Sequence, residues 1–283
     1  MNKTLQLDSF MYFCTINVKK INLSKMKALK ISTLLAALAA VFTFSSCLND
    51  DDTNDVPRFT SYVTITGDAT FGYTFHSDFG CTLKPTAASI QEVLPGLSQA
   101  NVKRAVVAFD LLNDTEGLTT QLEAGKTYDI VLRSHYYANY ALPTYNTLDV
   151  TGNTAATDTL TANNDRIITI DNIWAINGFM NANLTLPYDN SKTFYMNTYY
   201  NCEKDIDVEN NTLYLNLYYN HNSLNAINQG KSVFCFDLPE EAAYEFMTDS
   251  INLVLRAVTE EHGEYREAAR CRMAVEDFFI PMY

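Results

Sequence analysis

Apolar and polar residues alternate with a period of two along most of this chain, which is the period of a β-strand with one buried face. In the segment SYVTITG, Val63 and Ile65 lie on one side, and Tyr62, Thr64 and Thr66 lie on the other. The segments KRAVVAFDLL and TYDIVLRSHYY continue the alternation, with glycine, proline, asparagine and aspartate between them. The pattern predicts an all-β protein.

One stretch of the N-terminal half favours a helix instead. Residues 86–102, TAASIQEVLPGLSQANV, have room for about two helical turns, because Pro95 and Gly96 end the helix. Strands, one short helix and more strands are typical of a small barrel of about five strands. We therefore expect a small OB-like β-barrel over residues 57–147, followed by a second domain.

The second domain is expected to be a β-sandwich over residues 166–283. Residues 148–165 are mostly Thr, Asn, Asp and Ala, and they are the predicted linker. Beyond them, a short helical piece is expected near 240–247, and alternation predicts about six or seven strands. The strand segments are RIITIDNIWAING, NANLTLPY, KTFYMNTYYN, TLYLNLYYN, KSVFCFDL, SINLVLRAVT and CRMAVEDFFI.

Residues 1–46 have the features of a secretory signal peptide. Lys27 and Lys30 precede fourteen uncharged residues, 31–44, which are rich in Ala and Leu. A helix of that length rises about 21 Å, which is short for a hydrocarbon core of roughly 30 Å. The segment therefore predicts a signal peptide, with Met26 as the expected translation start.

Ser45, Ser46 and Cys47 resemble the processing site of bacterial lipoproteins, with Phe44 in place of the usual leucine. Acylation of Cys47 would anchor the mature protein in a membrane, because each buried methylene contributes about 0.8 kcal/mol. The alternative is an ordinary signal peptide that is cut nearby and leaves Cys47 unmodified.

The acidic segment after Cys47 is the predicted tether, over residues 47–56. Asp50, Asp51 and Asp52 resemble a signal that sends lipoproteins of some Gram-negative anaerobes to the cell surface. On this interpretation the protein is attached to the outer membrane and faces the exterior. The alternatives are that the aspartates only keep the tether solvated, and that the protein stays on the periplasmic face.

Charge limits the classes of partner. The whole chain has a net charge of −13, and removal of residues 1–46 would make it −18. Such a charge repels nucleic acid, and Lys103 with Arg104 forms no basic groove. A membrane reached through the lipid, and a glycan or protein, are the expected partners. The sequence does not specify an oligomeric state.

No set of residues in the sequence indicates catalysis, a cofactor or a metal. Asp205, Asp207 and Glu209 alternate as calcium ligands do, but Asn210 stands where a calcium loop needs glycine. A solvated acidic hairpin loop is therefore the preferred interpretation. Four cysteines remain for the mature domains, and both free thiols and disulfides stay open for Cys81, Cys202, Cys235 and Cys271.

The candidate binding residues are tyrosines on two strands. Tyr195 and Tyr199 lie on one face of KTFYMNTYY, and Tyr214 and Tyr218 lie on one face of TLYLNLYY. If residues 201–211 join the strands as a hairpin, these rings line one polar surface for a sugar or a protein. Cross-strand tyrosine pairs also stabilise a sheet on their own, which is the alternative.

The layout resembles the NigD-like lipoproteins. The resemblance rests on the order of SSCLNDDD, FHSDFGCTLKP, NVKRAVVAFDLL, LEAGKTYDIVL, DNIWAINGFMNANLTL and KSVFCFDLP over most of residues 45–280. It implies an N-terminal OB-like barrel and a C-terminal β-sandwich, and it brings no catalytic residues. The expected function is a non-catalytic binding module at the cell envelope. The alternatives are a bacteriocin-immunity role, which the family's name suggests, and a hydrolase with unrecognised acidic residues.

Overall fold

The computed structural model describes residues 57–93, 102–114, 119–133, 139–224 and 228–281. The predicted signal peptide, Cys47 and Asp50 to Asp52 lie outside these residues. Within the described ranges, no helix has the length and apolar character that a membrane crossing requires.

The N-terminal half forms a closed barrel. Its described elements are β1 (Phe59–Asp68), β2 (Gly72–Ser77), β3 (Thr82–Pro85), α1 (Ala87–Val93), β4 (Arg104–Leu111) and β5 (Thr127–Leu132). The strand order is β1-β2-β3-β5-β4, and β4 pairs with β1 to close the ring. β3 and β5 are parallel, and the other neighbours are antiparallel. This order, with a helix between β3 and β4, confirms the OB-like barrel.

Strand β4 is buried on both sides, which explains its apolar sequence RAVVAFDL. Ala105, Val107 and Phe109 belong to the barrel core. Val106 points the other way and belongs to a separate apolar cluster, which includes Phe179 of the C-terminal half. The barrel therefore packs on the sandwich through β4, and a short strand, β6 (Tyr140–Ala141), pairs with the same strand.

Two sheets form the C-terminal sandwich. Its described strands are β7 (Thr144–Tyr145), β8 (Thr147–Asp149), β9 (Thr169–Ile176), β10 (Phe179–Tyr188), β11 (Tyr195–Tyr200), β12 (Ile206–Asp207), β13 (Thr212–Asn220), β14 (Asn228–Asp237), β15 (Ser250–Ala257) and β16 (Arg266–Ala274). One sheet has the order β7-β14-β10-β9. The other has the order β16-β15-β13-β11-β8, with β12 paired to β13. The predicted β-sandwich is confirmed.

The alternation seen in the sequence builds the core between these sheets. Leu213, Leu215 and Leu217 of β13 are at most 1 % exposed, and Met196 of β11 joins them in one large apolar cluster. A two-residue turn at Asn177 and Gly178, both with positive φ, joins β9 to β10. This is the backbone that a tight hairpin of the asparagine-glycine type requires.

The segment between the two domains contains regular structure. Residues 148–165, the predicted linker, contain the end of β8 and a helix, α2 (Thr154–Ala162). Asn153 caps α2 by accepting a hydrogen bond from the backbone N–H of Ala156. Since β8 pairs with β11, this end of the segment belongs to the sandwich sheet. The exact domain boundaries stay a prediction.

Three short helices complete the described chain. α3 (Cys202–Asp205) follows β11, and α4 (Glu240–Ala243) lies in the region where a helical piece was expected. The segment CRMAVEDFFI was expected to be a strand, and that prediction is wrong for its second half. β16 ends at Ala274, and a 3-10 helix, Val275–Phe278, follows it. Asp277 stabilises this turn by accepting a hydrogen bond from the N–H of Ala274.

Candidate functional site

The candidate site is the side of β11 and β13 that faces away from the sandwich core, which we call the outer face. The two strands are antiparallel neighbours, and the connection between them contains α3 and the short strand β12, which also pairs with β13. The register pairs three of the four tyrosines with an asparagine on the other strand: Tyr195 with Asn220, Tyr218 with Asn197, and Tyr199 with Asn216. Tyr214 follows on the same side of β13. The sheet thus brings the four predicted tyrosines to one face.

The tyrosines differ in exposure. Tyr195 is 57 % exposed, Tyr214 and Tyr218 are half-buried, and Tyr199 is only 5 % exposed. Tyr265 covers Tyr199, with an edge-to-face contact at a centroid distance of 6.1 Å. Three of the four predicted tyrosines therefore remain accessible, and the fourth supports the sheet.

Tyr265 is held firmly over the face. Its hydroxyl donates to the carbonyl oxygen of Leu217 at 3.0 Å and accepts from the side-chain amide of Asn164 at 2.6 Å. Burial is the main cause that raises the pKa of Tyr265, and its contact with Tyr199 adds to the rise. The phenol therefore stays neutral, as its two hydrogen bonds require.

An ion pair borders the outer face beside Tyr214. Arg256 donates to Asp205 at 2.9 Å, and its guanidinium lies 3.8 Å from the centroid of the Tyr214 ring. Asp205 also accepts from the backbone N–H of Asn201 and from the side chain of Asn216. We call these side chains the Arg256 cluster. A stacked, ion-paired arginine fixes the ring and leaves it partly open.

The solvated acidic loop expected at residues 205–209 is only partly present. Asp205 is 7 % exposed and is bound within the Arg256 cluster, so it is not solvated. Asp207 is bonded to the side chain and backbone of Asn210, which lowers the pKa of Asp207. In the part of the chain that the structure describes, no three His, Cys, Asp or Glu side chains are grouped as metal ligands would be.

A second polar cluster lies where the barrel meets the sandwich. Arg104 of β4 makes two hydrogen bonds to Asp78, at 2.7 and 2.8 Å, and it also donates to Thr64 and Asn181. Asp78 accepts a further bond from the indole N–H of Trp174 at 2.8 Å. These side chains form the Arg104 cluster. It joins a barrel strand to β9 and β10 of the sandwich through hydrogen bonds.

Cys81, Cys202, Cys235 and Cys271 are free thiols in the structure. Burial raises the pKa of Cys235 to about 11 and that of Cys271 to about 12, so both stay protonated at neutral pH. Burial also raises the pKa of Cys81. Cys202 is exposed, and its sulfur accepts a hydrogen bond from Thr151 at 3.1 Å. Three of these residues therefore act as small core side chains.

The sequence of the sandwich matches a known protein family. Residues 149–267 match the family described as the NigD-like C-terminal beta sandwich domain. The sandwich of this chain is a NigD-like C-terminal domain. The match begins inside β8 and ends inside β16, so it includes all of the outer face. None of the curated proteins matches this NigD-like chain.

Solved structures share the fold of this NigD-like protein at low identity. A toxin-related protein from Parabacteroides distasonis is 15 % identical, with a TM-score of 0.53 over 77 % of this chain and 94 % of that chain. A protein of unknown function from Bacteroides vulgatus is 14 % identical, with a TM-score of 0.50 over 76 % and 89 %. A NigD-like immunity protein from Bacteroides caccae is 16 % identical, with a TM-score of 0.48 over 74 % and 90 %.

The sequence analysis missed the Arg104 cluster. Arg104 was considered only as part of a basic pair, although a charged residue at the start of an otherwise apolar strand needs a buried partner. Trp174 is the single tryptophan of this NigD-like chain, and nothing in its local sequence points to Asp78, 96 residues away. A partner at that distance cannot be inferred from periodicity.

Proposed function

We propose that this NigD-like protein is a lipid-anchored envelope protein that acts as a non-catalytic binding module. Acylation at Cys47 would attach it to the outer membrane, and Asp50, Asp51 and Asp52 would direct it to the cell surface. The observation that carries the binding role is the pairing of tyrosine with asparagine, in register, across the outer face.

This pairing suits a ligand with sugar rings. A phenol ring offers a flat apolar surface that can pack on a sugar ring, and an asparagine amide can donate to and accept from its hydroxyl groups. Tyr195 and Tyr218 are diagonal neighbours on adjacent strands, so their backbones lie roughly 7–8 Å apart. Two rings at that spacing can contact neighbouring parts of one glycan.

The remaining residues of the site are proposed to prepare this surface. Tyr265 covers Tyr199 and keeps that end of the face closed. Arg256 holds the Tyr214 ring from one side through stacking and its ion pair with Asp205. A surface fixed in advance loses less conformational entropy when a ligand binds. Tyr195, Tyr214 and Tyr218 are therefore the proposed contact residues.

Glycan-array screening of the purified full chain tests the binding role. Tyr195→Ala and Tyr218→Ala should each weaken binding about tenfold, because loss of a central aromatic contact costs more than about 1 kcal/mol. Tyr244→Ala is the matched control, since Tyr244 is 76 % exposed and lies outside the outer face. Binding that both outer-face variants leave unchanged would rule out this surface.

The anchoring role needs a separate experiment, because it depends on residues outside the described structure. Radiolabelled palmitate should enter the wild-type protein, and Cys47→Ser should abolish both labelling and recovery in the membrane fraction. Asp50 to Asp52 changed together to Asn should keep the label and reduce accessibility to externally added protease. Membrane recovery of Cys47→Ser at the wild-type level would contradict the anchor.

An immunity-type role is the second candidate, and the NigD-like C-terminal domain favours it. Such a protein would bind a toxin at the envelope, so the two candidates share a binding module and differ in its partner. Survival of strains with and without the gene, when grown beside toxin-producing neighbours, separates them. Equal survival would leave the glycan-binding role as the better account.

A further inference from the structure

A cleft of about 520 Å³ opens beside the contact between the barrel and the sandwich, away from the outer face. Its polar lining residues are Lys103, Thr147, Asp149, Tyr200, Asp237, Glu240 and Glu241. They come from both domains, since Lys103 precedes β4 of the barrel and the others belong to the sandwich region. A cleft of this size at a domain junction is a common position for a ligand site.

Tyr200 provides the first sign of a ligand. Its side chain is only 4 % exposed and packs in the sandwich core, yet it lines the cleft. Its hydroxyl oxygen makes no hydrogen bond to any group among the described residues. Arg104 Nε is the one buried side-chain polar atom without a partner among the described residues, so the Tyr200 hydroxyl is not enclosed but opens to the cleft, where its donor and acceptor are free.

The charges around the cleft provide the second sign. Four carboxylates line it, and the single ammonium, that of Lys103, is paired with Asp237 at 3.2 Å. Asp149, Glu240 and Glu241 have no cationic partner within the described part of the chain. Among the described residues, only Thr151 donates to Asp149, and both of its bonds go to Oδ1, so Oδ2 has no partner there. Three carboxylates without a cationic partner therefore give the cleft a negative potential.

Burial and the negative charges of the cleft both affect the pKa of the Tyr200 hydroxyl. Burial is the main cause that raises the pKa of Tyr200 to about 12, and the charges of Asp149 and Glu241 raise it further. The phenol is therefore neutral at physiological pH, and its oxygen can accept a hydrogen bond from a cation.

We propose that this cleft binds a primary alkylammonium group, with its N–H donors directed to the Tyr200 hydroxyl and to the carboxylates of Asp149 and Glu241. The apolar side chains of Leu238, Pro239 and Ile280, which also line the cleft, contact the alkyl chain. Such a group occurs in free aliphatic diamines and in lysine side chains. This site is separate from the outer face and does not depend on the proposed glycan binding.

Isothermal titration of the purified full chain in 150 mM NaCl tests the proposal, because that salt concentration screens general attraction to an acidic protein over about 8 Å. The probes are 1,5-diaminopentane, Nα-acetyl-lysine amide and the neutral 1,5-pentanediol. Either amine should bind with a dissociation constant below about 1 mM, and the diol should not bind. The tighter of the two amines identifies the source, a free diamine or a lysine-bearing partner.

Three variants locate the binding. Glu241→Gln should weaken amine binding about tenfold and Tyr200→Phe about threefold, since each removes one partner of the ammonium. Glu245→Gln is the matched control, because Glu245 is exposed and lies outside the cleft. It should change the dissociation constant less than twofold.

Several results would overturn the proposal. Absence of amine binding, equal binding of the diol, or equal weakening by Glu241→Gln and Glu245→Gln would each exclude a specific ammonium site. Glu241 is exposed, so its variant keeps the test valid even if Tyr200→Phe disturbs the core. A failed glycan screen with intact amine binding would reject the outer face alone.

Discussion

The Arg104 cluster and the Arg256 cluster share four kinds of side chain, an arginine, an aspartate, an asparagine and an aromatic ring, in different surroundings. The Arg104 side chain is 0 % exposed and Asp78 is 12 % exposed, whereas Arg256 is 31 % exposed and Asp205 is 10 % exposed. The first cluster joins two domains, and the second borders one sheet face. The comparison shows how burial decides whether an ion pair holds a fold together or shapes a surface.

The physical difference is the cost of an unpaired charge. An arginine that loses its partner at the surface is hydrated by water, but a fully buried one is not. Arg104 Nε already lacks a hydrogen-bond partner, the one buried side-chain polar atom in that state among the described residues. Removal of a further partner should therefore lower the free energy of unfolding more at the Arg104 cluster than at the Arg256 cluster.

Asp78→Ala is expected to have the largest effect. It removes the carboxylate that makes two hydrogen bonds to Arg104 and one partner of Trp174, and it should lower the free energy of unfolding by about 3–5 kcal/mol. Urea denaturation followed by tryptophan fluorescence measures it, because Trp174 reports on the junction.

Glu123→Ala is the control for Asp78→Ala. Glu123 pairs with Lys126 at the barrel surface, where the two side chains are 65 % and 55 % exposed, so its loss should cost less than about 1 kcal/mol. If the two variants cost the same, burial is not what distinguishes the Arg104 cluster.

Gly178→Ala tests how closely the junction is packed around the Arg104 cluster. Gly178 has a φ of +83°, and a Cβ there would lie 2.6 Å from Cγ1 of Ile280. Strain and overlap together should cost about 2–3 kcal/mol in thermal or urea unfolding.

Gly152→Ala measures the cost of backbone strain alone, without the steric overlap with Ile280 that Gly178→Ala adds. Gly152 has a similar φ of +71°, but no atom lies within 4 Å of the added Cβ, so only the backbone cost of about 1 kcal/mol should remain. If the two glycine variants lose the same free energy of unfolding, the Ile280 side chain moves away from the added Cβ without a measurable cost.

Much of the fold could be predicted from the sequence because its signals are local. The alternation of Leu213, Leu215 and Leu217 with Tyr214 and Asn216 specifies which side of β13 faces the core. The Asn177-Gly178 turn is an equally local signal that the sequence analysis did not use.

The candidate site was predictable only in part. Alternation places Tyr195, Tyr199, Tyr214 and Tyr218 on the faces of their strands, but it says nothing about what covers them. Tyr265 lies 66 residues after Tyr199 in the sequence and reaches it only through the order of strands in the sheet. Long-range partners depend on topology, and a period of two carries no information about topology.

Arg256→Ala is expected to have a smaller effect than Asp78→Ala. It removes the ion pair to Asp205 and the stacking on Tyr214, which should cost about 1–2 kcal/mol of unfolding free energy in urea. Asp205 still accepts hydrogen bonds from the backbone N–H of Asn201 and the side-chain amide of Asn216, so its buried carboxylate keeps two donors.

Arg272→Ala is the matched control on the neighbouring strand. Arg272 is exposed and bonds only to the hydroxyl of Ser250, so its loss should change stability by less than about 0.5 kcal/mol. A cost for Arg256→Ala as large as that for Asp78→Ala would remove the distinction between the two clusters.

The smallest expected effect is the one that Tyr200→Phe has on the pH midpoint of alkaline unfolding. The pKa of Tyr200 is raised to about 12 in the folded protein, mainly by burial, whereas an unfolded tyrosine titrates near the model value of 10.0. The folded state therefore holds its proton more tightly than the unfolded state. The stability from Tyr200 is complete below pH 10 and is lost as the pH rises towards about 12.

Tyr200→Phe removes this titration and should move the alkaline unfolding midpoint up by about half a pH unit. Tyr195→Phe is the control, because Tyr195 is 57 % exposed and its loss should leave the midpoint in place. Tyr219 and Tyr265 also have raised pKa values caused mainly by burial, so unfolding at high pH persists in both variants. A midpoint that Tyr200→Phe leaves unchanged would show that Tyr200 titrates as an exposed phenol, which would contradict the buried position of its side chain at the cleft.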